Sequence, residues 1–235
     1  MFARTTALAT GVTLALAGAA VSQDMQRYDI ADFSEIDVAA GITVNIEAGG
    51  DFEVLAQSKR RNGLSRLDVD LDGDVLVIRR KASWSGLSFF RDPPDITVTV
   101  TLPELSAVVA SSGSTAVATV TPTQSFVAQA SSGSSITVNG LESSDVDLQT
   151  SSGSHLRISG SCEVLDAKAS SGSTLIASEL ACVAVEADAS SGASIGVNAT
   201  QMIDAEASSG ASVRVDGSAS QREERESSGG SVVFR

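Results

Sequence analysis

The chain has 235 residues, enough for one large domain or two small ones, and its hydrophobic fraction of 42% is ordinary for a folded protein while its aromatic fraction of 4% is low. A core of Val, Ile, Leu and Ala with few rings suits narrow, regular layers rather than a bulky interior. With 16 basic against 29 acidic residues, the chain would repel phosphates overall, which excludes a general nucleic-acid partner.

Taken in chain order, residues 1–22 read as a secretory signal: Arg4 precedes an apolar run from Ala7 to Val21, and small residues at Ala20 and Ser22 flank a cleavage point. The stretch has no Cys to take a lipid, and no second apolar run of spanning length follows. The expectation is an exported, soluble mature protein without a transmembrane segment, periplasmic or at the cell surface.

Residues 23–105 lack a period but hold strand-like runs at 42–46, 67–71, 75–78 and 96–102. They read as irregular β coils that cover the end of a longer stack. Asp68, Asp70, Asp72 and Asp74 imitate the start of a calcium loop, yet Arg79 stands where its last position needs a bidentate Glu. The preferred reading is a hairpin with an Asp72-Gly73 turn. Half of the cations fall nearby, between residues 59 and 91, and the segment RRKASWSGLSFFRDPP (79–94) mixes them with rings. Arg80, Lys81, Trp84, Phe89, Phe90 and Arg91 are therefore a candidate ligand-binding loop, since rings supply contact area and Arg directed donors. The preferred reading is a lid whose aromatics shield the end of the stack.

From 106 to 235 a Ser-Ser-Gly tripeptide recurs seven times, its Gly at 113, 133, 153, 172, 192, 210 and 229. Such a period signals a solenoid. One, three and five positions before the copies that start at 131, 151, 170, 190 and 208 stand apolar or small residues, for example Ala130, Ala128 and Phe126. The third and fifth positions after each Gly are apolar too, as at Ile136 and Val138. The fold expected is all-β, a single-stranded parallel β-helix with coils of about 20 residues, right-handed by the usual crossover rule. Alternation carried through the tripeptide turns its second Ser inward and its Gly outward, unless Gly makes a corner. Segments such as Val120–Ser125 and Ala199–Met202, where the length varies, read as loops on one side.

This register makes three further statements. Cys162 and Cys182, each eight positions before a Ser-Ser-Gly, should stack and form a disulfide in an oxidising compartment. Asp147, Asp166, Glu186, Asp204 and Glu223 form one outward column, a candidate cation-binding ladder, although a solvated acidic wall is the preferred reading. Arg222, Glu224 and Glu226 occupy positions that are inward in earlier coils, and charges there discourage further stacking.

No catalytic constellation emerges. The only histidine, His155, points outward, no Gly-x-Ser-x-Gly elbow surrounds any serine, and seven equivalent serine pairs look architectural. No cofactor or metal site is expected.

DFSEIDVAAGITVNIEAG (32–49), LDVDLDGDVLVIRRK (67–81), ITVTVTLPELSAVVASSGS (96–114) and the SSGS coils together resemble the putative auto-transporter adhesin head family, also called the GIN domain. The resemblance spans roughly residues 30–235. It implies an exported bacterial envelope protein with a β-helical fold. The functional expectation is a non-enzymatic structural or adhesive module, with a glycan or an envelope protein as partner. The alternative is a carbohydrate-active enzyme of the lyase or hydrolase type, because β-helices display such sites on their walls.

Overall fold

The computed structural model describes residues 24–81 and 95–235. The chain begins with β1 (Asp24–Tyr28), β2 (Glu35–Val38), β3 (Thr43–Ala48), β4 (Glu53–Ser58), a 3-10 turn (Gly63–Arg66), β5 (Leu67–Asp72), β6 (Val75–Arg80) and β7 (Ile96–Leu102). It continues through β8 (Ala107–Ala110), β9 (Thr115–Thr119), β10 (Thr123–Ala130), β11 (Ser135–Thr150), β12 (His155–Ala169), β13 (Thr174–Ala189), β14 (Ser194–Ala207), β15 (Ser212–Asp216), β16 (Gln221–Glu226) and β17 (Ser231–Phe234). All seventeen strands share one hydrogen-bonded network. It winds into a β-solenoid of about six turns with coils of about 20 residues.

The inward positions read from the sequence are the core. Ala130, Ala128, Phe126, Ile136 and Val138, with their equivalents in later coils, are buried. Parallel pairing stacks like on like, as in Val146 against Leu165, Val185 and Ile203. The same pairing sets Cys162 beside Cys182, and they form a disulfide with their Cα atoms 4.5 Å apart.

Each Ser-Ser-Gly is a corner. The second Ser has φ between 48° and 55°, the Gly has φ between 67° and 78°, and Ser114 N–H donates to Ser111 O at 3.2 Å. Two consecutive left-handed residues closed by that bond give the φ pattern of a type I′ turn. The expectation that the second Ser faces inward is therefore corrected: its left-handed backbone throws it outward, exposed in every copy. Alternation resumes in phase at the residue after Gly. Buried Ser134 and Ser154 occupy that place, and their hydroxyls donate to Ala110 O and Ala130 O of the preceding coil, both at 2.7 Å. Ser114 donates likewise to Val38 O at 3.0 Å, while Ser173 meets Thr150.

The segments read as loops are a second correction. Residues 120–122 do connect β9 and β10 as a loop, but β11 to β14 run as strands through the later segments, and register shifts between Val138 and Leu141, Arg157 and Ser159, and Ala177 and Ala181 absorb the differences in length. Backbone groups thus keep partners where a loop would leave them to water.

Residues 24–105 join the same stack, but out of chain order. β2 lies between β6 and β8, and β3 between β7 and β9, all parallel. The coil of residues 35–48 is thus flanked on both faces by coils that come later in the chain. Beyond β7 the stack turns antiparallel through β4 and then β1, and beyond β6 through β5. The β5–β6 hairpin forms as expected, although its two-residue loop is Gly73-Asp74, with Gly73 at φ 67°.

At the other end, Arg222, Glu224 and Glu226 pair with Ile203, Ala205 and Ala207, the predicted positions. Two of these side chains, Arg222 and Glu226, reach back to β17. Arg222 stacks 4.7 Å above the Phe234 ring, and Glu226 accepts the Val232 N–H at 2.6 Å.

Candidate functional site

Three surfaces carry the polar groups singled out in the sequence. On the first, Asp147, Asp166, Glu186, Asp204 and Glu223 stand in direct register, as the column requires. A parallel column two residues further along each strand places Gln149, Lys168, Asp188, Glu206 and Arg225 beside them.

The wall therefore brings its own cations. Lys168 Nζ contacts Asp166, and that hydrogen bond holds the ammonium above its ordinary pKa. Arg225 bonds both oxygens of Asp204 at 2.9 Å and reaches Glu206 at 3.5 Å. Gln149 Nε2 donates to Asp147 at 3.1 Å. Among the described residues no three His, Cys, Asp or Glu side chains converge as a metal site would need. An adjoining groove of about 360 Å³ is lined by Gln129, Gln149, Lys168 and Asp188 and by first serines of the corners.

The second surface holds His155. It is exposed in an outward column between Ser135 and Thr174, while its neighbour Ser154 is buried and donates to a backbone carbonyl. Consecutive residues on opposite faces of a strand do not make a nucleophile and base pair.

The third surface is the corner edge of the N-terminal cap. Sequence reasoning missed an eighth corner there, Ala39-Ala40-Gly41, in which Ala40 and Gly41 have φ of 67° and 68°. The signal that finds it is the shared spacing: Ile36 and Val38 before, Val44 and Ile46 after, all buried. Down the regular corners each Gly N–H donates to the second Ser carbonyl of the next coil, and Gly41 does the same to Ser112 O. At the head of this column Arg80 takes over: its Nε donates to Ala40 O at 2.7 Å and its Nη2 to Gly41 O at 3.2 Å.

Arg80 thus caps the corner ladder. Lys81 lies 3.8 Å from Asp68, and its carbonyl accepts from Arg66 at 2.7 Å. Trp84, Phe89, Phe90 and Arg91 lie outside the described residues. A depression of about 370 Å³, lined by Gly41, Thr43, Gln57, Lys59, Asp95 and Thr97, opens beside the strand ends that flank them.

Residues 32–219 match the family described as putative auto-transporter adhesin, head GIN domain. The chain is similar in structure to a putative adhesin from Bacteroides fragilis, with a TM-score of 0.82 at 16% identity, covering 91% of this chain and 97% of that one. A putative lipid binding protein from Parabacteroides distasonis aligns with a TM-score of 0.67 at 15% identity, covering 91% and 96%. A putative adhesin from Parabacteroides merdae aligns with a TM-score of 0.65 at 17% identity, also covering 91% and 96%. These likenesses concern the fold. No curated protein matches the chain.

Proposed function

We propose, from the premise that this chain belongs to the putative auto-transporter adhesin, head GIN domain family, that it is an exported, non-enzymatic adhesive module of the cell envelope. Its working contact is the segment that carries Arg80, Lys81, Trp84, Phe89, Phe90 and Arg91, and its ligand is a glycan or an envelope protein.

The observation that supports this most is how the serines are used. The hydroxyls of Ser114, Ser134 and Ser154 are spent on carbonyls of neighbouring coils, and the Ser-Ser-Gly tripeptides turn corners. The repeat builds a rigid stalk, and a rigid stalk suits the display of a contact at its end.

A binding screen of the wild-type protein against glycans and solubilised envelope proteins, repeated with Trp84→Ala, tests the reading. The expected result is lost binding at an unchanged melting temperature. Unchanged binding with a lowered melting temperature would make the segment a lid. New unsaturated ends in a polyuronate incubated with the protein would favour the carbohydrate-active alternative instead.

A further inference from the structure

Strand pairing sorts the charges of the cap by edge. Ser58 at the end of β4 faces Ile96 at the start of β7, and Leu67 at the start of β5 faces Arg80 at the end of β6. The connection 59–66 and the C-terminal end of β6 therefore share the corner edge. The first supplies Lys59, Arg60, Arg61 and Arg66, and the second supplies Arg79, Arg80 and Lys81. The carboxylates nearby are Asp24, Asp68 and Asp95. The far edge, at the opposite ends of the same strands, instead carries Asp29, Asp32, Asp51, Asp72, Asp74 and Glu104.

Within the corner edge some cations are committed and some are not. Arg79 and Lys81 pair with Asp68, and Arg80 caps the corner ladder. Lys59 and Arg61 are exposed and have no carboxylate partner among the described residues, and Arg66, exposed and likewise without a carboxylate there, donates to the Lys81 carbonyl. Beside them Met25, whose register partner is Gln57, is 55% exposed. Unpaired cations around an exposed apolar side chain are what contact with a lipid interface uses.

We propose that this edge of the cap is a docking surface for an anionic phospholipid bilayer, so that the solenoid stands with its cap toward the headgroups. The shape of the patch selects a plane over a groove ligand. Its uncommitted cations are spread along the connection 59–66 instead of converging, and of the three without carboxylate partners only Lys59 lines the neighbouring depression. A bilayer reads summed charge over an area, whereas a glycan or phosphopeptide needs donors converging on one cleft.

The acidic remainder does not forbid this. Attraction to the surface falls off within about 8 Å at physiological salt, while the coils behind the cap recede by about 4.8 Å each. Most of the acidic walls lie beyond the reach of the field. The inference uses no residue of 82–94, so it stands or falls apart from the adhesive contact proposed above.

Co-sedimentation with vesicles tests it, using phosphatidylcholine alone and phosphatidylcholine mixed with phosphatidylglycerol. The wild-type protein is expected to bind the anionic vesicles only, and to release in about 0.5 M salt. Lys59→Ser with Arg61→Ser should weaken binding about 25-fold, roughly fivefold per cation, and Arg61→Ser alone about fivefold. Arg214→Ser with Arg235→Ser, at the other end, should leave binding unchanged, and melting temperatures of all variants should match. Equal binding to neutral vesicles would overturn the proposal, as would full binding by the Lys59 and Arg61 variant. Binding to a soluble polyuronate, sensitive to the same substitutions and without vesicle binding, would also overturn it and give the edge to an acidic glycan.

Discussion

Seven serines in this chain hold a left-handed backbone, the conformation in which Asn, Asp and Gly are favoured. Each is exposed, so the cost is local and the neighbouring Gly decides whether the corner survives. At Gly133 an added Cβ would meet nothing within 4 Å, so Gly133→Ala carries only the backbone penalty, about 1–2 kcal/mol. At Gly160 the same Cβ would sit 1.9 Å from the Leu141 carbonyl oxygen. Urea unfolding should therefore find Gly160→Ala the more damaging of the two, and equal losses would contradict the geometry.

The acidic wall has a weak point of a different kind at Asp188. Burial pushes its carboxyl above the usual range; Lys168 pulls the other way, and Glu206, Asp166 and Asp204 push further up. A carboxyl raised in the folded state binds its proton more readily folded than unfolded. Stability therefore falls as pH rises from the unfolded value through the folded one, and the full penalty persists above. Asp188→Asn should raise Tm at pH 7, with the gain fading as pH falls and gone by about pH 3, where both states are protonated. A gain that persisted at low pH would mean that something other than charge was relieved. The inward alternation was legible from residue types alone. The outward second Ser was not, because a left-handed pair breaks the alternation for one residue and restores it immediately.

Among elements, the pairing of β12 with β13 was the most legible. Counting from the corners set Cys162 over Cys182, and the two bond across 20 residues of sequence. Closing a loop of that size restricts the unfolded chain, so Cys162→Ala with Cys182→Ala should cost about 3 kcal/mol in denaturant unfolding. A loss near zero would show that the parallel ladder alone already holds the coils. The continuous strands β11 to β14 were not legible, because their bends vary in length and composition from coil to coil. Register shifts are negotiated between neighbouring strands, so a single coil gives no sign of them. The candidate site divided in the same way: the register of the acidic column followed from counting, whereas the capping role of Arg80 depends on a corner whose spelling, Ala-Ala-Gly, departs from the repeat.

For the whole molecule, the ends decide whether the stack stays finite. Arg222, Glu224 and Glu226 replace the Ile203, Ala205 and Ala207 of the coil beneath. Arg222→Ile with Glu224→Ala and Glu226→Ala would restore an apolar rung with a free strand edge. Sedimentation velocity should then show association that grows with protein concentration, and a monomer at all concentrations would place the block elsewhere. This terminus was readable because the repeat defines what a normal rung contains. The start was not, since alternation says which residues face inward but nothing about which coil becomes the neighbour of which.

That spatial order has a consequence in time. The regular coils each rest on a partner about 20 residues away, so they can form one after another as the chain emerges. The coil of residues 35–48 has no such early partner. Its flanking strands are β6 and β7 on one side and β8 and β9 on the other, and its contact through Ser34 and Ser106 spans 72 residues. A nascent chain delivered N-terminus first cannot cover both faces of that segment until residue 119 has appeared, so the cap is a latch that closes late. Once closed, it cannot be peeled from the N-terminus without parting two interfaces together.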